Sequence, residues 1–304
     1  MKHLTSLFDI TPDELHCILD KAQELKQLFR QGQRPQLFPG RVLVQLFEKP
    51  SLRTRNSFEA AMIHLGGSGI FLTTAEAGLN GRESLPDIAR VISSFSDLIT
   101  MRTFSQKLIE DMAAHASCPV INGLSDERHP CQALTDLLTI RETLSSPTQR
   151  HLVFVGDGNN VAMSLAIAAA MTGMPMTLAA PDGFQFTSAF LQRLTERYPA
   201  HQVRHSLDPA DAVRSADIIY TDVWASMGQE DDAERRKAAF ADFQVNGRLM
   251  SLAPASAVFM HDLPAKRGLE VTDEVIDGPQ SIVFAQAENR MHLAKGLFAW
   301  LLGG

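Results

Sequence analysis

Nine short apolar runs, RVLVQLF, GIFL, DLITM, PVIN, HLVFV, MTLAA, QVRHS, DIIYT and VFMH, alternate with helix-patterned stretches along nearly the whole of this 304-residue chain. Continuous apolar runs suit strands buried on both faces, and strands separated by helices pair in parallel, so the alternation predicts an α/β protein. After the first run, Phe58, Ala61, Met62 and Leu65 share one helical face and Gly66-Gly67 stops the pattern; from Ser84, the residues Leu85, Ile88, Ile92 and Phe95 repeat it. The stretch at 161–180 is long enough on length alone to span a bilayer, but Gly173 and Pro175 divide it into a buried helix, a turn and a buried strand.

A chain of this length with 45% hydrophobic residues is expected to build two domains. The polar, turn-rich segment RETLSSPTQR at 141–150 precedes a fresh strand and marks the boundary, giving domains 1–145 and 146–285, each a parallel sheet flanked by helices. The helical stretch HPCQALTDLLTI would join them, and a last helix over about 286–302 is expected to pack back onto the first domain. Neither repeats nor low-complexity segments occur.

A formal net charge of −7 argues against nucleic acid or an anionic membrane as partner, so any anion must be gripped locally. The opening MKHLTSLFDITPDEL has no apolar signal core before its first acids, which makes the cytoplasm the expected location. Cys17, Cys118 and Cys131 are too few and too irregularly spaced for a disulfide framework or a metal knuckle, and they read as small core or site-lining residues.

One local grip stands at FEKPSLRTRNSF, residues 47–58. Ser51 occupies a helix N-cap position and Leu52, Arg53, Thr54 and Arg55 form the first turn, where free N–H groups and the helix dipole attract an anion. Two arginines there oppose the dipole unless an anion is expected, which weighs against a merely solvated basic face. Elsewhere the local signals are weaker. HPCQ sets His129 and Gln132 on one helical face, yet on its own it is simply a helix with proline at its first position. HLVFVGDGNNVAMS is a strand, a glycine turn and a helix, but it lacks the third glycine of a dinucleotide motif and the lysine of a phosphate loop. Asp222 at the end of DIIYT reads alone as a turn or cap contact, and Arg102 and Arg290 as ordinary solvated arginines.

Taken in order, these pieces carry a resemblance. FEKPSLRTR is similar to the Ser-Thr-Arg-Thr-Arg phosphate loop of the aspartate and ornithine carbamoyltransferases, and HPCQ, GDGNN, DVWASMG, HDLP and AENR follow in that family's order. GDGNN and the Asp-x-x-x-Ser-Met-Gly element resemble the ornithine-using branch. The resemblance implies transfer of the carbamoyl group of carbamoyl phosphate to the side-chain amine of L-ornithine, a step of arginine biosynthesis or of urea-cycle type, without metal or organic cofactor, in a homotrimer or a multiple of one. By match to the family motifs, Ser51, Leu52 through its backbone N–H, Arg53, Thr54 and Arg102 would bind the phosphate. His129 and Arg290, with Arg102 and Thr54, would hold the carbonyl oxygen, and Gln132 the carbamoyl nitrogen. Asn160 and the backbone N–H of Met227 would take the ornithine carboxylate, Asp222 and Ser226 its α-ammonium, with Asp262 and Leu263 completing the site and Asn159 serving as a turn residue. An alkyl ammonium resembles lysine at pKa about 10.4, so freeing the nucleophile at neutral pH costs about 4 to 5 kcal/mol, which nearby arginines would reduce.

The chain departs from the family pattern in three places. HDLP replaces His-Cys-Leu-Pro, and Asp262 either recognises or deprotonates the amine or else points away to cap a turn. In FLTTAEAGLNGRES, Gly78 stands where relatives offer Gln or His to a neighbouring subunit, so Asn80 or Arg82 substitutes or that contact is absent. Leu52 replaces the first motif threonine, a position where a backbone N–H suffices. Two alternatives stay open: the same reaction on putrescine or an N-acylated ornithine, and a non-catalytic relative that binds carbamoyl phosphate or an amino acid. Retention of Arg53, Arg102, His129 and Arg290 weighs against the second.

Overall fold

In the computed structural model, which describes residues 1–79, 81–225 and 232–304, each of the nine apolar runs forms a strand. The chain divides into two units, one of Met1–Leu138 with Glu288–Gly304 and the other of Thr139–Ala287. Among the described residues, no helix is long and apolar enough to cross a membrane.

The first unit is built on β1 (Val42–Phe47), β2 (Ser68–Thr73), β3 (Leu98–Arg102) and β4 (Val120–Leu124), all parallel in the order β2-β1-β3-β4. Its helices are α1 (Pro12–Arg30), α2 (Leu52–His64), α3 (Leu85–Ser94), α4 (Gln106–His115) and the first part of α5 (Pro130–Leu144). Val44, Leu46, Ile99, Met101 and Val120 form a buried face with Ile88 and Ile92 of α3 and with Ile109 and Met112 of α4. Each such side chain contributes roughly 1.5–3 kcal/mol on leaving water, which is why the central strands are apolar throughout. Phe95 departs from the expected stripe: α3 ends at Ser94, and Phe95 is 55% exposed.

The second unit holds β5 (Leu152–Val155), β6 (Met176–Ala179), β7 (Val203–Ser206), β8 (Ile218–Thr221) and β9 (Val258–His261), parallel in the order β7-β6-β5-β8-β9. Its helices are α6 (Asn160–Thr172), α7 (Ser188–Arg197), α8 (Pro209–Ala212), α9 (Ala233–Ala239), α10 (Gly247–Leu252) and α11 (Asp273–Ile276). The long apolar stretch at 161–180 divides as its Gly and Pro predict: Gly173 caps α6 at φ +71° and β6 follows.

The chain leaves the first unit within α5 and re-enters it within α12 (Val283–Leu302). α12 begins at Val283, ahead of the start expected near 286, so AENR lies inside it. The later part of α12 lies hard against α1: a Cβ on Gly296 would come within 2.6 Å of the Ala22 nitrogen and the Ile18 oxygen. Lys26 of α1 donates to Asn289 of α12 at 2.6 Å, and Phe298 meets Phe58 edge-on at 5.5 Å.

In each sheet the strand order reverses direction once, between β1 and β3 in the first unit and between β5 and β8 in the second. The crevice beyond the carboxyl ends of strands at such a point is where open α/β sheets bind ligands. Residues 48–54 follow β1 and Arg102 ends β3, while Asn159 and Asn160 follow β5 and Asp222 follows β8, so the topology puts the motifs at these two places.

Candidate active site

In the first unit, Phe47 and Arg102 are register partners at the ends of β1 and β3, and a shift in the β3–β4 pairing falls between Met101 and Arg102. Ser51 caps α2, its hydroxyl accepting the Thr54 backbone N–H at 3.1 Å. Thr54 is buried, and its Oγ1 accepts from Arg290 Nη2 at 2.6 Å and from Arg102 Nη1 at 3.4 Å. A hydroxyl has two acceptor sites and one proton, so with two guanidinium donors on its oxygen it can still offer that proton as a donor. Arg290 Nη1 also donates to Gln132 Oε1, while Gln132 Nε2 donates to Asp136 Oδ1 at 2.8 Å.

Residues 54, 102, 132 and 290 thus meet in one hydrogen-bonded group, beside the capped start of α2 where Leu52 is exposed and Arg53 half-buried. His129 is buried immediately before α5, one turn from Gln132. Asp136, fully buried, is a participant that sequence reading missed. Its i,i+4 spacing from Gln132 on one helix face was the available signal.

Other charged groups near this corner are already engaged. Arg55 stacks on Phe71 at 3.7 Å, and Lys49 pairs with Asp126 and lies over the Phe104 ring. Arg82 folds onto its neighbour Glu83 at 2.8 Å. Asn80 lies outside the described residues.

The second unit gathers a different set. Asn159 is more than a turn residue: its Oδ1 accepts the N–H groups of Val161 and Ala162 as the cap of α6, and its Nδ2 donates to Asp222 Oδ2 at 2.8 Å. Asn160 is buried at the first position of α6. Gly158 permits the turn, because a Cβ there would lie 2.9 Å from the carbonyl carbon of Gln185.

Asp222 Oδ1 accepts the Val223 N–H at 2.7 Å. Asp262 stands beside Asp222, its Oδ1 3.5 Å from His261 Nδ1. Leu263 adopts φ +59°, and its N–H donates to His261 Nδ1 at 2.9 Å. On the far side of the imidazole lies Glu270, fully buried, 3.3 Å from Nε2; its Oε1 also accepts the Lys266 N–H at 2.5 Å. Glu270 carried no sequence signal. Ser226 and Met227 lie outside the described residues.

Burial pushes the Asp222 carboxyl well above the usual carboxylate range, and the neighbouring Asp262 adds to the push. Burial disfavours the His261 cation, but Asp262, Glu270 and Asp222 outweigh it and carry the imidazole pKa up to about 9. Asp222, His261 and Asp262 each offer a ligand atom within 4.8 Å of the others, a spacing a metal ion could use. Both Asp222 oxygens already accept N–H donors, from Asn159 and from Val223. Cys131 is buried with its thiol pushed up to about 12, which fits an inert core residue.

Residues 2–142 match the family described as "Aspartate/ornithine carbamoyltransferase, carbamoyl-P binding domain", and residues 148–301 match its "Asp/Orn binding domain". The chain is 47% identical to the ornithine carbamoyltransferase of Pyrococcus abyssi over 307 aligned residues, covering 100% of this chain and 96% of that protein. Among solved structures, the ornithine carbamoyltransferase of Pyrococcus furiosus superposes with a TM-score of 0.96 at 44% identity, covering 100% of this chain and 97% of the other. The enzyme of Thermus thermophilus gives 0.89 at 40% identity, with 99% of each chain covered.

Proposed function

The chain belongs to the aspartate/ornithine carbamoyltransferase family, and on that footing we propose that it transfers the carbamoyl group of carbamoyl phosphate to the δ-amine of L-ornithine, giving L-citrulline and phosphate. The convergence of Arg290 and Arg102 on the Thr54 hydroxyl, beside the Ser51-capped start of α2, carries this reading. Ser51, the Leu52 N–H, Arg53, Thr54 and Arg102 bind the phosphate. Thr54, Arg102, His129 and Arg290 hold the carbonyl oxygen as it gains charge, and each preset donor of this kind is worth about 2.7 to 4 kcal/mol in the transition state. Gln132, fixed by Asp136, takes the carbamoyl nitrogen.

Asn160 and the Met227 N–H receive the ornithine carboxylate, and Asp222 with Ser226 receives the α-ammonium. Leu263 lines the path to the δ-amine, and Asp262 recognises that amine or accepts its proton. The neutral amine attacks the carbamoyl carbon, the C–O bond to phosphate breaks, and phosphate leaves with the proton. Positioning and electrostatics supply the rate.

We infer further that the enzyme serves arginine synthesis in the cytoplasm, as a homotrimer or a multiple of trimers. Asp262 beside Asp222 keeps one second reading in play, the same transfer to another cationic amine such as putrescine or to an N-acylated ornithine. A citrulline assay with carbamoyl phosphate against ornithine, putrescine, acetylornithine and aspartate tests both. Ornithine is expected to give the highest kcat/KM; no ornithine turnover, or equal use of putrescine, sinks the assignment.

A further inference from the structure

We propose that Arg236 is a positioning residue that fixes the spacing between the carboxylate and ammonium receptors of the amino-acid site, and so makes the enzyme read the α-carbon head group of its acceptor. The inference rests on the functional reading above. Arg236 lies in α9, outside every motif singled out from the sequence. Its side chain is only 11% exposed, and it touches three separate pieces of chain. Nη1 donates to Asp157 Oδ2 at 2.5 Å, in the turn between β5 and α6, and to the Trp224 carbonyl at 2.8 Å, just past β8. Nε donates to Asp232 Oδ2 at 3.2 Å, immediately before α9.

The guanidinium also lies 5.2 Å from the centroid of Phe184, which packs on Phe240, and Phe240 stacks on Trp224. Because a guanidinium presents its N–H groups in one rigid plane, contacts made through it fix relative positions as well as supplying charge.

The placement of the grip is what matters. Asn160 follows Asp157 by three residues, and Asp222 precedes Trp224 by two. The Asn159 to Asp222 hydrogen bond ties the same two turns a second time. The two receptors are therefore held from both sides. Burial holds the Asp157 carboxyl above its usual range against the pull of Arg236, so this acid depends on its cation partner. Removing one member of a buried pair leaves the other charge stranded, unlike the loss of an exposed ion pair.

The test is steady-state kinetics on Arg236→Gln and Asp157→Asn. Loosening the receptors removes binding shared by ground and transition states, so ornithine KM is expected to rise about 10- to 30-fold while kcat stays within about threefold. KM for carbamoyl phosphate, whose proposed receptors all lie in the first unit, stays unchanged, and preference for ornithine over putrescine falls about tenfold. The double variant is no worse than Arg236→Gln alone, because Asp157 acts through Arg236. Arg236→Lys, which keeps the charge and loses the planar fork, does not restore the wild-type KM. Asp157→Asn keeps the side-chain shape and decides the matter if Arg236→Gln fails to fold. Folded variants with wild-type ornithine KM, or with KM raised equally for both substrates, overturn the proposal while the functional reading stands. A wild-type enzyme that makes no citrulline overturns both.

Discussion

Thr54 shows how little of a side chain's role lies in its type. A threonine in the first turn of a helix ordinarily back-bonds to the chain or faces water; here two guanidinium groups from positions 102 and 290 occupy its oxygen and leave it as a donor. Asp262 is the residue whose departure from the family pattern has a measurable consequence. It is one of the two causes that raise the Asp222 carboxyl, so replacing it with a neutral side chain lowers the Asp222 pKa. Asp222 must be ionised to hold an ammonium. In Asp262→Cys, the acid limb of the kcat/KM profile for ornithine is therefore expected to move to lower pH; an unmoved limb with unchanged ornithine KM would show that Asp262 takes no part in the amine site. Sequence reading named both residues but missed Asp136, whose one signal was its spacing from Gln132, and Glu270, which had none, since a buried carboxylate looks like any exposed one until its donor is known.

At the scale of elements, close approach governs. The second half of α12 reaches α1 only because Gly296 lacks a side chain, and this contact belongs to the helix that carries Arg290. Glycine costs a helix about 0.8–1 kcal/mol relative to alanine, so Gly296→Ala would stabilise an isolated helix. In this fold the added methyl meets two backbone atoms at 2.6 Å, and overpacking of that kind costs about 1–3 kcal/mol. The variant is expected to melt several degrees lower and to lose activity through displacement of Arg290 from Thr54; a thermal melt at or above wild type would contradict this packing account. The strands themselves were legible because a parallel sheet buries both faces and writes that burial into continuous apolar runs. The limits of α3 and α12 were not, because apolar periodicity continues past Ser94, and Asp277-Gly278-Pro279 mark a turn without fixing at which following residue the helix begins.

For the molecule as a whole, stability depends on pH through groups remote from the chemistry as well as within it. Lys295 of α12 lies over the Phe29 ring at 4.3 Å, and burial together with Arg34 lowers its pKa from 10.5 to about 8. A base whose folded pKa is depressed is destabilising at full strength below that value, and the penalty disappears between about pH 8 and the unfolded value of 10.5. Lys295→Met is therefore expected to raise the melting temperature at pH 7, with the gain shrinking as pH rises from 8 to 10.5; a gain independent of pH would mean that the ammonium is not the cause. The sequence by itself determined two parallel α/β sheets, the starts of α2, α3 and α5 and the order of the motifs, because hydrophobic periodicity, caps and glycine turns are local properties of the chain. Only the tertiary structure decided that residues 54, 102, 132 and 290 share one hydrogen-bond network and that Arg236 grips three chain segments. Such contacts depend on where strands end and helices return, and that is fixed by packing between residues far apart in the chain.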